Sequence, residues 1–237
     1  MKQGRHLLIA ILWIQVFAAS GQSVEFLKGP FSNEKKLGLK SPFHFIEEKL
    51  DTAELDYIGR VRVTPGSVAS LRSMYLALEK QAKKNGANAF RLISFDRPGT
   101  AIIADLYFLS DDTVARNNML KAHNTVYVFG GDLYGPETHD AFEFNGQVRN
   151  IRNGTFFKYK LREGEKVKLT KGTITGTVMW ISWKPNQLPA YYSVRDFGEK
   201  AVVKRTEVSQ AAKPSKFIEL DRALGALLVA VLDATSD

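Results

Sequence analysis

The side chains best suited to a binding chemistry are gathered in one short stretch. Trp180, Trp183, Tyr191 and Tyr192 fall within thirteen positions, with Arg195 close behind. Indole and phenol rings offer flat apolar faces with a polar edge, and a guanidinium adds a fixed cation. That combination grips sugars or protein surfaces and breaks no bonds. Trp183, Tyr191, Tyr192 and Arg195 are therefore the candidate binding residues. Side chains alternate along a strand, so Trp180 and Trp183 point to opposite faces. Both cannot belong to the core of a two-layer sandwich unless its second face is covered too. One exposed indole is what carbohydrate and protein contact sites often require; core packing is the simpler use of the same rings.

Other chemistries find little support. The four histidines, His6, His44, His123 and His139, are scattered and show no metal-ligand spacing. His139–Asp140 beside Glu137 is the nearest approach to a cation site, and a solvated turn explains it as well. Neither a Gly-x-Ser-x-Gly elbow nor a phosphate loop is present. The absence of cysteine excludes disulfides, thiolate metal sites, a cysteine nucleophile and a lipid-bearing cysteine. No catalytic residue, metal or cofactor is expected. Carboxylates are plentiful, and a pair facing across a cleft would make an acid hydrolase the alternative.

Setting matters next. Lys2 and Arg5 precede an apolar run from Leu7 to Ala19, interrupted by Gln15, and the small residues Ala18, Ala19, Ser20 and Gly21 follow. This is the layout of a secretory signal peptide over residues 1–22. The run is 13 residues, short of the roughly 20 that cross a bilayer. Among 237 residues, 33 are Lys or Arg and 25 Asp or Glu, a net charge of +8. Losing Lys2 and Arg5 leaves 31 basic against 25 acidic side chains, or +6. An exported basic protein meets an anionic envelope glycan, a lipid surface or another envelope protein. The lysines are too dispersed for a nucleic-acid arm, and nucleic acid is not an expected partner.

The elements that must position these residues form an α+β chain: a small strand-helix-strand-strand module, a small antiparallel β-sandwich and a C-terminal helix. The first module covers residues 24–115, with its core at 56–109. Residues 24–56 read as a lead-in with a short helical piece near 46–53. Tyr57, Ile58, Val61 and Val63 mark a strand. Thr64, or alternatively Ser67, is the expected helix cap, with Pro65 at the first helical position. Val68, Leu71, Tyr75, Leu78 and Ala82 follow at helical spacing, and strands at 90–95 and 100–109 flank an Asp96–Gly99 turn. Gly86, Ala87, Asn88 and Ala89 form a structural motif: a helix cap, two small residues for close packing, and an amide for backbone groups.

That motif between an amphipathic helix and a strand resembles the small α/β domains of bacterial envelope proteins. It is similar to those of the YbjQ-type family and of Rcs-pathway outer-membrane stress-sensor lipoproteins. The stress sensors carry disulfides and a lipid, which this cysteine-free chain cannot form.

Polar residues 110–124 read as the module boundary. The second module, 125–200, contains short strands at fairly even intervals. Among its turns, Asn145–Gly146 suits a tight type I′ hairpin, and Asn153–Gly154–Thr155 reads as a turn as well as a glycosylation sequon. Asn145-Gly146-Gln147-Val148, Gly154-Thr155-Phe156-Phe157-Lys158-Tyr159 and Glu163-Gly164-Glu165 are similar to β-sandwich modules of exported bacterial lipoproteins, including carboxypeptidase-regulatory-like domains. That resemblance implies scaffolding or adhesion without catalytic residues. An amphipathic helix is expected over 214–234, carrying Phe217, Leu220, Leu224, Leu227, Leu228 and Val231, either docked on its own domain or forming a dimer surface. Its ten-residue apolar stretch is too short to span a membrane. The expectation is an exported, non-enzymatic bacterial envelope protein, periplasmic or surface-bound, that binds or scaffolds another envelope component.

Overall fold

The computed structural model describes residues 22–30, 41–66, 70–96, 101–134, 138–172, 176–195, 197 and 216–235. The signal-peptide reading therefore lies outside the described residues except at Gln22. So do Ser67, Val68, most of the Asp96–Gly99 turn and Glu137.

Alternating apolar residues build the first sheet. It comprises β1 (Ser23–Lys28), β2 (His44–Phe45), β3 (Asp56–Thr64), β4 (Ala89–Asp96) and β5 (Ala101–Phe108), ordered β1-β3-β5-β4-β2. Only β2 and β4 run parallel. β1 occupies part of the lead-in, with Val24 and Phe26 packed against the core. The helical piece expected near 46–53 does not form. Ile46 instead prolongs the strand pairing, its N–H bonding Phe90 O at 2.9 Å, and an isolated helix that short would be marginal.

Across the sheet lies α1 (Leu71–Lys84), burying Leu71, Met74, Tyr75, Leu78 and Ala82. Its cap is Ser70, whose Oγ accepts the Ser73 N–H at 2.9 Å. The expected cap Thr64 is instead the last residue of β3, paired with Ser23, so Pro65 does not start the helix. Asp132, from the second half of the chain, accepts the Leu71 N–H at 2.8 Å and completes the helix start. At the other end Gly86 takes φ +80°. Ala87 N–H reaches Ala82 O at 3.0 Å and Gly86 N–H reaches Lys83 O at 3.1 Å, a Schellman closure that favours glycine.

The polar boundary is partly a helix, α2 (Asp111–Met119), capped by Ser110. Its inward residues are Thr113 and Asn117, so hydrophobic spacing does not reveal it. The fully buried Asn117 donates from Nδ2 to Phe45 O and accepts the Glu47 N–H, both at 2.9 Å. This amide clamps the end of β2.

The sandwich has an outer sheet of β7 (His139–Phe144), β8 (Gln147–Arg152), β10 (Lys166–Lys171) and β11 (Thr177–Ser182), ordered β11-β10-β7-β8 and wholly antiparallel. The hairpin at Asn145–Gly146 joins β7 to β8, with Asn145 at φ +52°. Its inner sheet contains β6 (Thr125–Phe129), β9 (Thr155–Lys160), β12 (Ala190–Ser193), β13 (Ile218–Glu219) and β14 (Asp233–Ala234), ordered β13-β12-β6-β9-β14. This sheet is mixed, where an antiparallel one was expected: β12 runs parallel to β6 and β14 to β9. Between β11 and β12 the chain crosses from the outer sheet to the inner one, and β12 enters alongside β6.

All five residues of β6 are buried, because the inner sheet is covered on both faces. Val126 and Val128 join Phe142, Phe144, Ile151, Phe157, Val167 and Leu169 between the two sheets. Tyr127 and Phe129 face the other way, into a core shared with the first sheet and α3 (Arg222–Val231).

The helix expected over 214–234 is thus shorter. Phe217 precedes it and packs edge-on to Phe142 at 6.2 Å, while Ile218–Glu219 pairs with β12. After Val231 the chain returns to extended form and pairs with β9. Leu224, Leu227, Leu228 and Val231 are buried within the chain itself, so the stripe offered as a dimer surface is already covered. Asp221 caps α3 through the N–H groups of Ala223 and Leu224, and accepts the Tyr75 hydroxyl of α1 at 2.7 Å. Among the described residues no helix is long and apolar enough to cross a membrane.

Candidate functional site

The four candidate binding residues do not converge. Tyr191 and Tyr192 are neighbours on β12 and therefore face opposite ways. Tyr191 enters the shared core at 5% exposure, stacked on Tyr127 with ring centroids 5.2 Å apart. Tyr192 packs half-buried against the core between the sheets, where burial and then Glu219 push its hydroxyl pKa up. Trp183 lies just beyond β11, half-buried against the same core, its backbone N–H bonding Glu165 O at 2.8 Å. Arg195 is occupied by an ion pair from Nε to Oδ2 of the buried Asp140.

The exposed indole is Trp180, at 56%. Alternation explains its position. On β10, Val167 and Leu169 point into the sandwich, which turns Lys166, Lys168 and Thr170 outward. The register of β11 places Trp180 opposite Lys168 and Val178 opposite Thr170 on that open face. The ammonium groups of Lys166 and Lys168 lie 4.7 and 6.0 Å from the indole centroid. Neither lysine has a carboxylate partner among the described residues. Glu143 lies on the same face, opposite Thr170 on β7. The result is a flat ring flanked by two cations with no anion of their own. Such a surface can stack the apolar face of a sugar ring and meet an acidic substituent beside it. Sequence alternation placed Trp180 and Trp183 on opposite sides; which side stays open depends on the order of the layers.

Two other groups of residues lie away from this face. The Asn88 amide bridges to β5's end, donating to Leu109 O at 2.8 Å and accepting Leu109 N–H at 2.7 Å. Ala87 and Ala89 beside it are fully buried. Of the suggested cation site, His139 is exposed on β7 and Asp140 is engaged with Arg195. Among the described residues no group of three or more His, Cys, Asp or Glu is placed to hold a metal ion.

In comparisons with protein families, curated proteins and solved structures, the chain matches no family model, no curated protein and no solved structure. The resemblances drawn from Gly86–Ala89 and from the segments Asn145–Val148, Gly154–Tyr159 and Glu163–Glu165 rest on those residues alone.

Proposed function

We propose that this is an exported, non-enzymatic protein of the bacterial cell envelope, periplasmic or surface-bound, that binds or scaffolds another envelope component. The observation that carries the reading is Trp180, exposed at 56% and flanked by the uncommitted lysines Lys166 and Lys168. Of the partners open to a basic envelope protein, an anionic glycan fits this face best, since it supplies both a ring to stack and a negative group. The positive N-terminal segment with its apolar run, the +6 charge after its removal, and the resemblance of both halves to envelope modules add support.

The test is cross-linking in cells followed by affinity purification of the full chain and of a Trp180→Ala variant. Recovery of an acidic envelope glycan with the parent chain, lost in the variant, is the expected result. The recovered protein should also begin between residues 18 and 23, and an intact Met1 contradicts export with cleavage. The competing reading is a hydrolase using acidic residues on polysaccharide or peptidoglycan. Turnover of cell-wall glycan with no partner recovered would replace the binding reading by that one.

A further inference from the structure

A concave region lies where the first sheet, the inner sheet and α3 meet. It encloses about 550 Å³, within the roughly 300–1,000 Å³ of small-molecule sites. Three separate parts of the chain build it. β4 contributes Leu92 and Ile93, α3 contributes Ala226, Val229 and Ala230, and β6 and β12 contribute Tyr127 and Tyr191. Glu47, just after β2, completes the lining.

Its polar groups are few. Tyr127 and Tyr191 are buried side chains, yet neither hydroxyl has a hydrogen-bond partner among the described residues. Neither oxygen is among the described side-chain atoms sealed without a partner, and both residues line the cleft. Glu47 has one carboxylate oxygen held by Lys121 Nζ at 2.9 Å, leaving the other without a partner. Burial raises the pKa of both phenols; Glu47 adds to it at Tyr127, and Tyr127 and then Glu47 add to it at Tyr191, against Arg222. Arg91 also lines the cleft but is engaged, donating to Glu48 O at 2.7 Å and Thr52 Oγ1 at 3.3 Å. Among the described charged residues lining the cleft, Glu47 and Glu48 outnumber Arg91, which is engaged, so the lining offers no free cation to an anionic ligand.

A site with two free hydroxyls, a free carboxylate oxygen and no free lining cation, opposite an apolar wall, suits a neutral ligand with one hydroxylated edge and one apolar face. A sugar ring has that division: its hydroxyls bond the tyrosines and Glu47, and its C–H face lies against Leu92, Ile93 and Val229. From this geometry we infer that the cleft is a binding site for a neutral mono- or disaccharide. The site stands apart from the Trp180 face and does not depend on it.

Isothermal titration of the full chain with cellobiose, maltose and N,N′-diacetylchitobiose tests the inference, with glucosamine and glucuronate as charged controls. At least one neutral disaccharide should bind with a dissociation constant around 1 mM or tighter. Tyr127→Phe and Tyr191→Phe should each weaken it about five-fold, the loss of one hydrogen bond, without lowering the melting temperature. Glu47→Gln should weaken it at least as much, and Trp180→Ala should leave it unchanged. Any of four results overturns the assignment. None of the three disaccharides binds; the charged controls bind instead; affinity is unaltered in both phenylalanine variants; or those variants melt several degrees lower, which would mean the hydroxyls are structural.

Discussion

Trp180 and Tyr191 are eleven positions apart and occupy opposite kinds of environment. Trp180 stands on the open face of the outer sheet, with two lysine ammonium groups near its ring. Tyr191 is held between Tyr127, Phe129 and Gly225, which come from two other elements. The difference follows from layer order. The inner sheet is packed on both faces and the outer sheet on one, so an aromatic residue's role depends on which layer receives it. A side chain of the inner sheet is a structural part whose removal costs stability. One on the outer face is nearly free energetically and available for contact.

The largest test of that contrast removes the cover from the inner sheet. Deleting residues 216–235 takes away α3 with Leu224, Leu227, Leu228 and Val231. At roughly 1.5–3 kcal/mol per buried side chain, the loss rivals the about 5–15 kcal/mol that holds a whole domain. The truncated chain should aggregate and show no cooperative melting, whereas a stable soluble product would reassign α3 to a partner surface.

Next in size is Gly225→Ala. A Cβ there would sit 2.2 Å from Tyr191 Cγ. Because the ring's root is fixed by its own strand, the helix must shift, and urea denaturation should record a loss of about 2–3 kcal/mol. Asn88→Ala removes both bonds to Leu109 and should cost about 1 kcal/mol. An unchanged midpoint would mean that motif serves a ligand instead.

A pH dependence also belongs to the packed side. Burial, and then the neighbouring Lys121 charge, hold His44 on β2 below the ordinary 6.5, against an opposing pull from Asp221. A depressed value in the fold means the unfolded chain takes the proton first. The associated stability is present above pH 6.5 and is lost as pH falls through the folded value. Urea midpoints should drop over that interval, and His44→Gln should flatten the drop. Smallest of all is Trp180→Ala, whose midpoint should move by no more than about 0.5 kcal/mol. A larger loss would place Trp180 with the packed residues.

Much of this contrast is legible in the residues. Strands β3, β4 and β5 and the hairpin at Asn145–Gly146 follow from alternation and turn chemistry, and α1 follows from its apolar stripe. The two-residue strands β2, β13 and β14 are not legible, because their partners define them and their composition does not. α2 hides because Asn117 and Thr113 face inward, and polar residues leave no hydrophobic period. The start of α1 is hidden for a similar reason: beside Ser70, Asp132 bonds the Leu71 N–H from 61 positions away. As for the aromatic group, its chemistry is evident from composition, but its division between an open face and a core required the layer order. Nothing local announces the cleft, whose walls come from distant parts of the chain.

Binding of an anionic glycan is proposed for the Trp180 face. Retention of the full chain and of Trp180→Ala on immobilised polygalacturonate, measured against rising salt, tests it most directly. The parent chain should be retained and released as salt screens its lysines, and the variant, equally stable, should elute markedly earlier. Coincident elution of the two would contradict the claim.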